Sequence, residues 1–214
     1  MGAFEGKVAL VSRTRGELEE TAAAIGAAGG PPALVLPADL GRVEEVDRAF
    51  DEARRALGPV DVLICAAARL LKAPVEEVSP EALDALLAVN VRGVYRACQL
   101  AFAHMRGRGG AIVTLSSLGG IRSTEKFPGL SAYVVSKAAI CGLTEALAVE
   151  GRPLSIRVNC VAPGAVKTRM LEEAAPFLRT RTLPDDVARL CLYLADEARS
   201  GRVSGSIVEV HSNE

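Results

Sequence analysis

Short apolar runs alternate with longer amphipathic stretches along almost the whole chain. Residues 6–11, 33–36, 60–64, 111–115, 156–161 and 207–210 are rich in Val, Ile, Leu and Ala, which predicts short strands buried on both faces. Between them lie helical patterns over 17–28, 43–57, 80–105 and 130–149, and Pro184-Asp185-Asp186 opens a last substantial helix. In the second of these, Phe50, Ala53 and Leu57 fall on one stripe, and Ser79-Pro80 supplies a cap and a first-turn proline to the third. Strand and helix in strict alternation predict an α/β protein with a doubly wound parallel sheet covered on both faces. At 214 residues the chain suffices for one sizeable core, so residues 1–214 are expected to form a single domain. No repeat or low-complexity tract interrupts the pattern.

Candidate chemistry sits at the ends of these elements. Tyr133 and Lys137 are four residues apart in a helical pattern and share one face. A cation beside a phenol favours the phenolate, so the spacing predicts a tyrosine pKa lowered toward neutrality. Ser116 and Ser117 close the strand over 111–115, where open α/β sheets bind ligands. Alternation along a strand lets only one of them reach such a site. Asn90 lies inside the long helical pattern, where an amide calls for solvent or a specific partner. Asn159 to Gly164 end another strand in a rigid turn, and Thr168 follows four residues later.

Together these motifs resemble the short-chain dehydrogenase/reductase family over nearly the whole chain, from Ser12 to Val210. The resemblance implies a Rossmann-like sheet and hydride transfer between a nicotinamide cofactor and a carbonyl or alcohol substrate. It implies that Tyr133 exchanges a proton with the substrate oxygen and that Ser117 orients that oxygen. Lys137 would bind the nicotinamide ribose and depress the tyrosine pKa, and Asn90 would hold the water linking Lys137 to solvent. Pro163, Gly164 and Thr168 would line the nicotinamide end of the cofactor, and Asp39 would touch the adenine. Family members pair through the two long central helices, which implies a homodimer or homotetramer here.

Two departures bear on function. The family opens with a strand, a T-G-x-x-x-G-x-G turn, a helix and a second strand. Here residues 6–11 look like that first strand, yet Ser12-Arg13-Thr14-Arg15 looks like the segment after the second. Roughly 25 residues, about one βα unit, are expected to be absent at the Val11–Ser12 junction. That unit supplies the N–H groups and helix N-terminus that hold a pyrophosphate. Losing about three charge-assisted hydrogen bonds at roughly 1.5–3 kcal/mol each weakens cofactor binding by on the order of a thousandfold. If the surviving strand took the first-strand position, Ser12 and Arg13 would fall where the phosphate loop should be. In the second-strand position they would suggest a preference for the 2′-phosphate of NADP, with NAD still possible. A plain helix start capped by Thr14 is the bland alternative. The second departure is Cys65-Ala66-Ala67-Ala68, where the family shows N-N-A-G.

The remaining features narrow the setting. Net charge is −1, which leaves no electrostatic footprint for nucleic acid. Five dispersed cysteines without a C-x-x-C pair suit a reducing compartment, and two isolated histidines give no metal-ligand spacing. The start of the chain lacks a secretory leader pattern, and no apolar run was expected to span a bilayer, so a cytoplasmic protein without membrane partners is expected. Residues 119–129 and 167–182, the latter with Met170, Phe177 and Leu178, are expected to form one wall and the lid of a substrate site.

Overall fold

The computed structural model describes residues 6–212, so the first residues of the stretch on which the leader pattern was read lie outside them. Strands β1 (Val8–Ser12), β2 (Ala33–Pro37), β3 (Val62–Cys65), β4 (Gly110–Leu115), β5 (Ile156–Pro163) and β6 (Ile207–Val210) all pair in parallel. Helices α1 (Arg15–Ala27), α2 (Val43–Leu57), α3 (Pro80–Leu87), α4 (Val94–Met105), α5 (Ser131–Gly151), α6 (Arg169–Ala174), α7 (Pro184–Ala195) and α8 (Glu197–Ser200) connect and cover them. Ser79 caps α3 as expected, its hydroxyl accepting from Ala82 N at 3.1 Å. The pattern read as one helix over 80–105 contains a π-helical segment, Ala88–Gly93, between α3 and α4.

The ladders form two sheets, β1-β2 and β3-β4-β5-β6. In a doubly wound sheet of order 3-2-1-4-5-6, these are the flanks on either side of the first-strand place, which no strand among the described residues fills. β1 pairs with β2 from Val8↔Ala33 to Ser12↔Pro37 and with no other strand among the described residues. The surviving strand therefore takes the second position, not the first. Burial records the gap. The inner residues of β4 are buried and most of β5 is too, whereas Ile64 in β3 is 40% exposed and Ala9 in β1 is exposed. The core divides in the same way: Leu36, Ala38, Ala49 and Ala53 cluster apart from the clusters on the two faces of the four-stranded sheet. Among α1's residues only Leu18 is buried.

The two sheets are joined through α2, which packs on β1 and β2 and against α4. Arg96 on α4 grips both carboxylate oxygens of Asp47 on α2, at 2.6 and 3.0 Å, a two-point geometry that fixes orientation. Beside it the backbone at Gly93 approaches so closely that an added Cβ would lie 2.1 Å from the Leu40 carbonyl oxygen. Gly93→Ala is therefore expected to destabilise the fold by about 1–3 kcal/mol, measured by urea unfolding, because neither backbone can yield without breaking this joint.

Residues 131–154, α5 and the turn after it, are long and apolar enough to cross a membrane, with a mean hydropathy of 1.4, contrary to the reading of the sequence. In this fold α5 lies against β4 and β5 with Ser136, Lys137 and Thr144 buried.

Candidate active site

The carboxyl ends of β4 and β5, the turn after β4 and the first turns of α5 meet at one place. Residues Leu118–Gly120 form a 3-10 turn pressed onto α5, and a Cβ at Gly120 would lie 2.6 Å from the Lys137 carbonyl carbon. Only glycine admits that approach. It brings Ser117 beside Tyr133, close enough to act on the phenol's pKa. Ser116, one residue back, points the other way: its buried hydroxyl donates to the Lys137 carbonyl at 2.7 Å. The alternation that left two serines open thus places Ser117 at the site and Ser116 beneath it.

Lys137 is 4% exposed, donates to the Leu115 carbonyl at 2.9 Å and stands 5.6 Å from the centre of the Tyr133 ring. Burial disfavours its charge and lowers its pKa to about 8. Tyr133 behaves oppositely to the sequence expectation. Burial pushes the phenol up to about 12, and Ser117 offsets only part of this. Spacing brought the two residues together, but an ammonium turned toward a backbone carbonyl does not pull the phenol toward neutrality.

These shifts give a stability prediction. The Lys137 pKa falls from 10.5 unfolded to about 8 folded, so between these values the unfolded chain holds more protons and stability rises with pH. Charged Lys137 costs about 3 kcal/mol at pH 7 on that reckoning. Lys137→Met is expected to be more stable than the natural chain by about 2 kcal/mol at pH 7, the hydrogen bond to Leu115 being lost. Denaturant titrations should show that advantage shrinking to near zero by about pH 10. A constant difference across this range would refute the buried charge.

Asn90 is 1% exposed in the π-helical segment, a bulge of the kind that re-aims a side chain. Its Oδ1 accepts from Arg69 N at 2.7 Å, and its Nδ2 donates to the Arg69 carbonyl at 2.9 Å and to Ser136 Oγ at 3.0 Å. Ser136 passes its own proton to the Tyr133 carbonyl at 2.7 Å. Both N–H donors of Asn90 are thus used in tying the loop after β3 to α5 beneath Tyr133. Sequence reasoning missed Ser136 and the Arg69 backbone as its partners. Ser136, one residue before Lys137, was the available signal.

The remaining positions line up along the carboxyl ends. Pro163 ends β5, Gly164 N donates to the Val210 carbonyl, and Thr168 caps α6 by accepting from Leu171 N at 3.3 Å. Asp39 follows β2, with Oδ1 accepting from Gly41 N at 2.9 Å. Ser12 ends β1 and Arg13 is exposed beside it. Thr14 holds the N-cap position of α1, yet its hydroxyl makes no capping bond. Phe127 in the loop before α5 meets Phe177 edge-on at 6.2 Å, so the wall and lid segments touch. A cavity of about 480 Å³ bordered by Lys167, Thr168, Leu171, Arg179 and Arg181 makes the lid less apolar than Met170, Phe177 and Leu178 suggested.

For a nicotinamide dinucleotide this set fits the two ends and not the middle. Tyr133, Lys137 and Thr168 suit a nicotinamide riboside, and Ser12, Arg13 and Asp39 suit an adenosine. They stand on either side of the first-strand place, which no strand among the described residues fills. Among the described residues, no group of three or more His, Cys, Asp or Glu is disposed to hold a metal.

Comparison with known proteins identifies the family and the fold. The family described as short chain dehydrogenase matches residues 2–178. The probable galactose dehydrogenase GalD of Rhizobium meliloti is 35% identical over 186 residues, 81% of this chain and 72% of that protein. A short chain dehydrogenase from Burkholderia cenocepacia J2315, solved in complex with NADP, superposes with a TM-score of 0.86 at 29% identity, over 95% of this chain and 85% of its own. A 3-ketoacyl-(acyl-carrier-protein) reductase from Brucella melitensis, complexed with NADH, gives 0.85 at 29% identity, over 95% and 85%.

Proposed function

The chain belongs to the short-chain dehydrogenase family, and on that premise we propose that it is an NADP(H)-dependent oxidoreductase acting on a carbonyl or alcohol, with a weakened hold on its dinucleotide. The observation that carries this reading is buried Lys137 with its ammonium 5.6 Å from the centre of the Tyr133 ring, at the carboxyl end of the sheet beside Ser117. When bound, the nicotinamide supplies or accepts the hydride. Tyr133 gives the proton to the substrate oxygen, and its raised pKa keeps it in the acid form that reduction needs. Ser117 donates to the same oxygen and fixes its distance from the phenol. Lys137 holds the ribose hydroxyls and receives its proton from the solvent side past Asn90.

Support for NADP over NAD comes from β1 pairing with β2 in the second-strand place, with Ser12 and the exposed Arg13 directly after it, since an arginine there suits a 2′-phosphate. The neighbours bound to NADP and to NADH support a nicotinamide cofactor of either kind. The exposed apolar residues Tyr95 on α4 and Val135 and Val149 on α5 support pairing of two copies along these helices. Five free cysteines suit the reducing cytoplasm.

A second reading, a non-catalytic relative that acts through this helix face, is favoured by one observation: the two ends of the cofactor site lie on separate sheets. Titration with NADPH separates the two. Saturable binding in the micromolar range supports the enzyme, and no binding at millimolar NADPH removes it, leaving the non-catalytic relative or an inactive deletion product.

A further inference from the structure

The proposed chemistry leaves unused a group of thiols next to Lys137. Cys65 on β3, Thr114 on β4 and Cys160 on β5 are successive register partners, so their side chains stand in a row on one face of the sheet. Cys160 is fully buried there, in the cluster that also holds Cys98. One turn beyond Lys137, Cys141 on α5 reaches the row. Its thiol contacts that of Cys160 and donates to Ser116 Oγ at 3.2 Å. Ser116 in turn donates to the Lys137 carbonyl. The Cys141–Cys160 pair is thus one hydroxyl away from the backbone of the residue that the proposed reaction depends on.

The two thiols are unlike. The neighbouring Cys160 thiol pulls Cys141 below its ordinary pKa, with nearby Lys137 acting in the same direction, while Cys141 and burial push Cys160 up. Cys141 keeps 9% of its surface exposed and Cys160 none. One thiol is therefore suited to meet a small oxidant and the other to resolve the product.

We propose that Cys141 and Cys160 form an oxidation-sensitive dithiol, which hydrogen peroxide converts to a disulfide that disables the centre around Lys137. The Cys141 thiolate attacks one peroxide oxygen: an S–O bond forms, the O–O bond breaks, and the departing hydroxide takes up the proton lost from Cys141 and leaves as water. The Cys160 sulfur then attacks the resulting sulfenic acid: the S–S bond forms, the S–O bond breaks, and a second water leaves with the Cys160 proton. Two thiols are oxidised and one peroxide is reduced to two waters. The bridge ties α5 to β5 one turn from Lys137 and removes the thiol proton that Ser116 accepts.

The test is peroxide treatment of the whole chain followed by alkylation, digestion and mass spectrometry. The expected product is a Cys141–Cys160 peptide pair joined and lighter by two hydrogens, and dithiothreitol should return it to two thiols. The Cys160→Ala variant should stop at the sulfenic acid, trapped by dimedone on Cys141, whereas Cys65→Ala should bridge like the natural chain. The effect on turnover rests on the proposed function: NADPH-dependent activity should fall about tenfold as the bridge forms and return on reduction. The mass readout does not depend on that activity. Cys141 and Cys160 remaining free at peroxide doses that oxidise Met170, or a bridge between Cys65 and Cys98 alone, would overturn the proposal.

Discussion

Inserting a strand, a glycine turn and a helix ahead of Val8 is expected to tighten NADPH binding by on the order of a thousandfold. About three charge-assisted hydrogen bonds to a pyrophosphate, at the low end of roughly 1.5–3 kcal/mol each, supply that factor, since 1.4 kcal/mol is tenfold. The insertion belongs before Val8 because β1 already pairs with β2 in the second-strand place, leaving the position beside β3 to the new strand. The same strand would pair both free edges and cover Ile64, so the inserted chain should also unfold at higher temperature. Calorimetric titration measures the affinity, and hydrogen exchange at the Ile64 and Cys65 amides shows whether the strand has seated. Protected amides with unchanged affinity would mean that the missing cradle is not what limits binding.

Tyr133→Phe carries the second large effect. Turnover is expected to fall by about 10²- to 10⁴-fold, the range of a positioned general acid, while NADPH affinity stays nearly constant. The phenol lies near Ser117 and Lys137, and removing its oxygen leaves the ring in place against the ammonium. Single-turnover measurements at saturating NADPH, in the natural chain or in the repaired one, separate the proton step from cofactor binding. Full turnover in this variant would exclude Tyr133 as the proton donor.

Much of this was legible along the chain because it depends on local order. Apolar runs of four to six residues marked every strand, and four-residue spacing placed Tyr133 and Lys137 on one face of α5. Two family segments run together at one short strand, which is the basis in the sequence for expecting the phosphate-binding unit to be absent. Other features depend on which segments meet, and only the tertiary structure decided them. A single Val-Ala-Leu-Val string fits either of two strand positions equally well, and its ladder with β2 assigned it to the second. The π-helical segment around Asn90 lies hidden inside a continuous helical pattern, since a bulge of one extra residue leaves the apolar stripe readable. Ser116 and Ser117 were equivalent as neighbours until Gly120 brought the following turn against α5. Spacing likewise foretold a phenol acidified by a cation, but the pKa values follow desolvation. Desolvation is set by the whole packed surroundings of Tyr133 and Lys137, which no four-residue interval contains.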